Sequence, residues 1–575
     1  MASLPGSLTP LQRLFKLLRS ERSEIRNIYI FAIFSGLIAL SLPLGIQAIL
    51  TFLTAGELST AWAMLVTFVV LGVVLSGILQ VRQMTITERI EQRLFARASF
   101  DFAYRIPRIN QESVHNRYLP EVVNRFFEIM TIQKGLSKIL IDLTSSAIQI
   151  VFGIFLLSLY HPLFILLGGG LVGILYVLFR FTGPLGLKTS LEESKYKFEV
   201  AHWLEEIGRT MHTFKMIGTS DLPLGKTDKL VEGYLGARQK HFRVLIWQFS
   251  GMIGFKAFVA AGLLILGSIL VVSRQINLGQ FVASEIIILL VLSSVEKLIL
   301  SVSTIYDVLT ALEKLGNVMD LPMEKDSGVS LQETPGGDGL QLHVTDLSFT
   351  FPDAREPFLK NLNFHIRSGE RILVTGPNGS GKTTLLKVIA GIYSEYKGII
   401  AYNDFPLGNL RVESLRSIIG YDLTETDVFK GTVYENIQAG RPGISLEDVK
   451  RAAAMVRLDE VIRTWPTGYE THITPEGLRL STGVRAKIIL ARAIAVSPKV
   501  LMLEDTLAAL PYDERLGIYQ EILQPSHGWT VILCSNDLGI SRMVDKIMVL
   551  NEGMLVEMNS YDDLNNKWMA FGTSR

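Results

Sequence analysis

Six runs of about twenty apolar residues, spaced along the first 320 positions, constrain this chain more than any other feature. A helix rises about 1.5 Å per residue, so about 20 residues cross the roughly 30 Å hydrocarbon core of a bilayer. Runs of that length lie at 28–53, 61–80, 139–160, 163–181, 246–272 and 281–303. The residues beyond about 340 are more polar, which predicts an all-α polytopic membrane domain followed by a soluble one. Hydrophobic residues are 48% of the 575 and charged residues only 19%, a balance that excludes a wholly soluble or disordered chain. Lys and Arg total 56 against 55 acidic residues, so no global charge points to nucleic acid as a partner. The single cysteine, Cys534, excludes a disulfide framework and a cysteine-cluster metal site.

Residues 1–27 read as an amphipathic helix, with Leu11, Leu14, Phe15 and Leu18 on its apolar side, lying on the membrane surface ahead of the first span. The membrane domain runs over 28–320. Its connections alternate in length: 54–60, 161–162 and 274–280 are short, whereas 81–138 and 182–243 are long and rich in Lys and Arg. Such an excess marks cytoplasmic loops, which puts both termini in the cytoplasm. The long connections keep a helical pattern with few Pro or Gly, so they read as spans continuing beyond the bilayer. An ionisable group at bilayer depth costs at least about 2.5–3.5 kcal/mol unless it meets water or a partner. Glu285 and Lys256 are therefore candidates to line a cavity, while Glu296 and Lys297 read as interfacial. Gly168, Gly169, Gly170 and Gly173 read as a close helix-packing site.

Residues 321–339 are polar and rich in Gly and Pro, which reads as a linker, and 340–575 as the soluble domain. A strand-like run at 371–374 leads into Gly376-Pro-Asn-Gly-Ser-Gly-Lys-Thr-Thr384, a complete phosphate loop. Gly376, Gly379 and Gly381 let successive backbone N–H groups curl around phosphates, with Pro377, Asn378 and Ser380 between them. Lys382 adds a point charge, Thr383 offers a hydroxyl to Mg²⁺, and Thr384 continues into a helix whose positive end faces the same phosphates. The soluble domain is thus predicted to be an α/β nucleotide-binding domain.

About 100 residues downstream stand Glu476-Gly-Leu-Arg-Leu-Ser-Thr-Gly-Val484, Ile489-Leu-Ala-Arg-Ala-Ile494, the apolar strand Val500-Leu-Met-Leu503, and Glu504-Asp505. With the phosphate loop, these resemble the ATP-binding cassette (ABC) transporters in their signature, its trailing helix and the second nucleotide motif. The resemblance extends over the whole chain and implies a half-transporter of the exporter type, with ATP and Mg²⁺ as cofactors. It also implies a second half as partner, identical or different, with each ATP clamped between one half's phosphate loop and the other's signature (Leu480, Ser481, Thr482, Gly483).

Several positions depart from the family pattern. Asp then Glu is usual, for Mg²⁺ and for the attacking water; this chain has Glu504 then Asp505. The shorter carboxylate recedes by about 1.5 Å, and errors of about 1 Å can cost on the order of 100-fold in rate, which predicts slow hydrolysis. Thr424 stands where the family has a glutamine, and Asn536 where it has a histidine that meets the γ-phosphate. Asn donates a hydrogen bond but carries no charge. Pro511 replaces an Asp, and Phe351 replaces the Tyr that serves as the adenine plate. Thr482 puts a β-branched side chain where backbone must approach phosphate, which predicts a weaker clamp.

Two functions compete: an exporter half driven by ATP, or a degenerate half that binds ATP while a partner turns it over. A membrane-tethered kinase or GTPase has no recognisable base or guanine motif here. The resemblance places coupling contacts near 118–121 and 205–209. Residues 276–283 are similar to type I secretion and peptide-exporting members, so a peptide or protein is the first choice of substrate and a lipid or amphiphile the second. The family layout implies a bacterial inner membrane and outward transport.

Overall fold

The computed structural model describes residues 8–54, 60–331, 339–422 and 428–562. They fall into two compact units. The first comprises Met1–Pro107 and Arg117–Leu321, the second Arg108–Asn116 and Pro322–Arg575.

The first unit is helical, with six helical segments long and apolar enough to cross a membrane. After α1 (Pro10–Ser20), α2 (Arg22–Ala39) and α3 (Ser41–Thr54) share the first expected span. That span is broken at Leu40, and Pro43, which lacks a backbone N–H, sits in the first turn beyond the break. α4 (Thr60–Arg105) runs for 46 residues, about 69 Å, far more than a bilayer needs. α5 (Leu119–Asn124) and α6 (Glu128–Lys138) lead through a π-helical turn at Ile139–Leu143 into α7 (Thr144–Tyr160). α8 (Leu163–Arg209), α9 (Met211–Ile217), α10 (Leu222–Val272) and α11 (Leu278–Met319) complete the unit. The long connections are thus mostly helix, as the sequence predicts.

Side-chain chemistry explains how these helices pack. α11 is the most enclosed, touching α1, α3, α6, α7, α8 and α10. Polar ties join neighbours where apolar contact alone is not selective: Ser35 with Ser76 at 2.9 Å, and Gln248 donating to Thr182 at 2.7 Å and to the Tyr306 hydroxyl at 3.0 Å. Of the glycine run, only Gly168 packs closely: a Cβ there would meet Ile154 at 2.5 Å, whereas Gly169, Gly170 and Gly173 face open space.

The amphipathic helix α1 packs against α11. Its Arg13 pairs with Asp320, just past the end of α11. Asp320 lies about 60 Å along the helix from Leu278, twice the roughly 30 Å hydrocarbon thickness, and Leu14 of α1 is buried in one cluster with Leu94 of α4 and Leu312 of α11.

In the second unit β1 (Leu342–Phe349), β2 (Leu359–Ile366), β4 (Lys397–Tyr402) and β5 (Phe405–Pro406) form a sheet ordered β2-β1-β4-β5. β3 (Arg371–Thr375), β6 (Ile419–Asp422), β9 (Val500–Leu503), β10 (Thr530–Cys534), β11 (Lys546–Asn551) and β12 (Met554–Asn559) form another, ordered β12-β11-β3-β10-β9-β6. β7 (Gly431–Thr432) and β8 (His472–Ile473) make a small pair. Leu362, Ile366, Leu386 and Tyr402 belong to one buried cluster of this unit. β10 lies parallel between β3 and β9, with Cys534 opposite Val374 and Leu533 opposite Leu503. The residues that follow these three strands therefore meet at one edge, where open α/β sheets bind ligands.

The structure also redraws the linker. Residues 322–331 pack onto the second unit: Glu324 holds Arg416 at 2.7 Å, Val329 bridges to Leu410, and Leu331 is fully buried.

Candidate nucleotide site

The phosphate loop begins where β3 ends and closes where α12 (Lys382–Ile389) starts. Gly376 and Gly381 have φ of 147° and 103°, and a Cβ at Gly376 would stand 2.0 Å from the carbonyl oxygen of Leu550. Only glycine fits there. Lys382 Nζ donates to the carbonyls of Gly376 at 2.7 Å and Pro377 at 3.0 Å, which holds the ammonium across the loop. Ser380 is buried, and its hydroxyl has no partner among the described residues. Pro377, Asn378, Gly379 and Thr383 are exposed, so the loop presents its backbone and the Thr383 hydroxyl outward.

Asn536 follows β10 by two residues. A backbone N–H only donates, so the 3.2 Å contact from Gly376 N identifies the Asn536 oxygen as the acceptor, and the Thr375 hydroxyl donates to it at 2.9 Å. The carbonyl end braces the start of the loop. Sequence reading expected the donor but not the brace.

Asp505 follows β9. Its Oδ2 accepts from the Ser535 hydroxyl at 2.9 Å; its Oδ1 is buried and has no partner among the described residues. Glu504 donates its backbone N–H to the Asp422 carbonyl at 3.0 Å, and the Thr506 hydroxyl donates to the buried Asp422 carboxylate at 2.6 Å. Burial pushes the Cys534 thiol far up, with the Glu504 charge adding to it. Burial likewise raises the Tyr519 phenol, helped by Asp505 and Asp422. Thr424 lies outside the described residues.

Phe351 is half-buried among aromatic rings: Phe349 at 4.9 Å, Phe358 at 5.2 Å and, stacked nearly parallel, His115 at 5.0 Å. His115 belongs to the nine residues Arg108–Asn116 that group with this unit. There Glu112 accepts from the Ser394 hydroxyl at 3.2 Å and the Glu395 N–H at 3.0 Å, and Arg108 pairs with Glu413 at 2.8 Å. The contacts expected near 118–121 and 205–209 involve residues of the first unit, where Asn124 donates to Glu205.

Ser481 caps the helix Thr482–Ala495, its hydroxyl accepting from Val484 N–H at 3.3 Å. Thr482 is exposed and accepts from Arg485 at 3.3 Å; Gly483 is buried, and a Cβ there would meet Leu510 at 2.5 Å. Leu480 packs on the core beneath. Among the described residues no hydrogen bond joins this segment to the phosphate loop of the same chain.

In the first unit Lys256 donates to Glu296 at 2.6 Å, so the lysine read as lining a cavity is paired with the glutamate read as interfacial. A cavity of about 340 Å³ opens beside the break at Leu40, lined by residues that include Ser41, Ser76, Gln80 and Gln149; neither Glu285 nor Lys256 lines it.

Comparison with known proteins gives concordant matches. Residues 25–295 match the model for the ABC transporter transmembrane region, and 359–508 that for the ABC transporter domain. The chain is 27% identical over 368 residues to the alpha-hemolysin translocation ATP-binding protein HlyB of Escherichia coli O157:H7, covering 64% of this chain and 51% of that one. It is 27% identical over 391 residues to the ATP-dependent lipid A-core flippase of Legionella pneumophila strain Paris, covering 68% and 65%. The chain thus spans between half and two thirds of the length of these curated relatives. Its fold is similar to that of a bacterial Atm1-family ABC exporter with ATP bound, with TM-score 0.82, 19% identity, and coverage of 95% and 96%.

Proposed function

The chain belongs to the ABC transporter family and carries its ATP-binding domain, and we propose that it is one half of an exporter, hydrolysing ATP slowly to move a substrate across a membrane. The observation that carries this reading is the meeting of the phosphate loop, Asp505 and Asn536 at the ends of β3, β9 and β10. The loop's N–H groups, Lys382 and the positive end of α12 bind phosphates; Asp505 orients water; Asn536 braces the loop and offers its NH₂. Thr383 and Glu504 would hold a Mg²⁺ ion, which would neutralise phosphate charge when bound. Among the described residues no three His, Cys, Asp or Glu gather as a metal site. Phe351 packs the adenine, with His115 stacked on it.

A second half, identical or different, supplies the signature (Leu480 to Gly483) that closes each ATP. The chain is an integral membrane protein, and the reading extends to a bacterial inner membrane with the cassette and both termini cytoplasmic. The relatives' names point to a translocated protein and to a lipid, which are the first and second choices here.

The test is Mg-ATP hydrolysis by the purified chain in lipid discs, with Lys382→Ala as blank and ATP binding measured in parallel. Turnover above the blank is expected. ATP binding without turnover would overturn the self-sufficient reading and make this the ATP-holding half of an unequal pair.

A further inference from the structure

Asp505 is one methylene shorter than a glutamate, so its carboxylate reaches less far and the aim of its two oxygens depends on what holds them. Ser535 is the one side-chain donor that reaches it among the described residues. The direction of that bond is fixed by its surroundings. The Ser535 hydroxyl accepts from the Asp537 backbone N–H at 3.1 Å, so its own proton is free to be donated to Asp505 Oδ2 at 2.9 Å.

Ser535 is itself immobile. It is 2% exposed, its N–H donates to the Val374 carbonyl at 3.2 Å at the end of the β3–β10 ladder, and Asp537 behind it is held by Arg515 at 2.6 Å. One carboxylate oxygen is thus occupied by a rigid strand end, and the other, Oδ1, is buried without a partner among the described residues. The next residue, Asn536, grips the phosphate loop. Two consecutive residues therefore fix the carboxylate and the loop to the same strand.

We propose that Ser535 is a positioning residue for hydrolysis: it clamps Oδ2 so that Oδ1 faces the attacking water. This rests on Asp505 being the group that meets that water. In the step it serves, the water oxygen bonds to the γ-phosphorus and the water proton passes to Oδ1. The bond from that phosphorus to the bridging oxygen breaks, and its electron pair leaves with ADP.

The experiment measures kcat and KM for ATP with the full-length chain in lipid discs, for the wild type, Ser535→Ala, Ser535→Thr, Asp505→Asn and the Ser535→Ala/Asp505→Asn double variant. The expected result is a loss of about 10- to 100-fold in kcat for Ser535→Ala with KM unchanged, and recovery in Ser535→Thr, which keeps the hydroxyl. Adding Ser535→Ala to Asp505→Asn should cost nothing further, because the group it positions is gone. An equal loss in both backgrounds would mean a structural role and overturn the proposal, as would wild-type kcat in Ser535→Ala while Asp505→Asn is inactive. A wild type that binds ATP without turnover, or wild-type kcat in Asp505→Asn, would instead remove Asp505 as the water-meeting group and the proposal with it.

Discussion

All five residues of β10 in the cassette are buried, whereas the most apolar window of α4 in the first unit is only 11% buried. Both segments are rich in Val, Leu and Ile. The strand hides its side chains from water inside protein, and the helix presents them outward, Phe68 at 75% exposed and Leu71 at 60%. For the helix the bilayer does the work that packing does for the strand, so equal hydrophobicity carries no equal demand for close fit. The difference teaches where substitutions hurt: by lost volume in the cassette, by added charge in the first unit.

That contrast can be broken most directly in β10. Leu533→Ala, at a fully buried site, should cost about 2–5 kcal/mol, read as a lower unfolding midpoint of the full-length chain. A midpoint within about a degree of wild type would show a core that tolerates voids. Phe68→Arg should cost about 2.5–3.5 kcal/mol if that face meets lipid, seen as loss of membrane-inserted protein. Wild-type insertion would mean that the face meets water. Lys256→Met alone strands Glu296 and should lower thermal stability by up to about 3 kcal/mol, while Lys256→Met with Glu296→Met should recover it. Failure of the double variant to recover would give the pair a role beyond neutralising itself. Asn536→Ala removes the brace on Gly376 and should weaken ATP binding about fivefold, the equivalent of about 1 kcal/mol, by equilibrium titration. The smallest signal is a null: Cys534, buried and with its thiol pushed up, should resist alkylation at pH 8 until the chain is unfolded.

Much of this was legible in the sequence because it is written locally. Six apolar runs announce helices by length alone, and the phosphate loop is nine consecutive residues whose glycines must bend backward. What escaped is what tertiary structure assembles. His115 stands 236 positions before the ring it stacks on, and no periodicity links a loop histidine to Phe351. Arg13 reads as one more charge on an amphipathic helix, yet its partner is Asp320, 307 positions further along the chain. Asp505 looks merely short until Ser535 is seen holding it. Residues 322–331 have a linker's composition, but Leu331 is buried and Glu324 is paired. Composition reports flexibility only where no partner waits.

The nine residues Arg108–Asn116 carry a consequence for modularity. They lie between two helices of the first unit in the chain but fold with the cassette, where Glu112 meets the Ser394 and Glu395 amides and His115 covers a face of Phe351. A genetic graft that moved residues 322–575 to another membrane unit would therefore deliver an incomplete module. Its missing piece would have to be supplied by a loop of the recipient, and a recipient lacking an acid at that place would leave the amides to water. Recombination among such transporters is thereby restricted to exchanges that carry both fragments, or to recipients that already hold a matching loop.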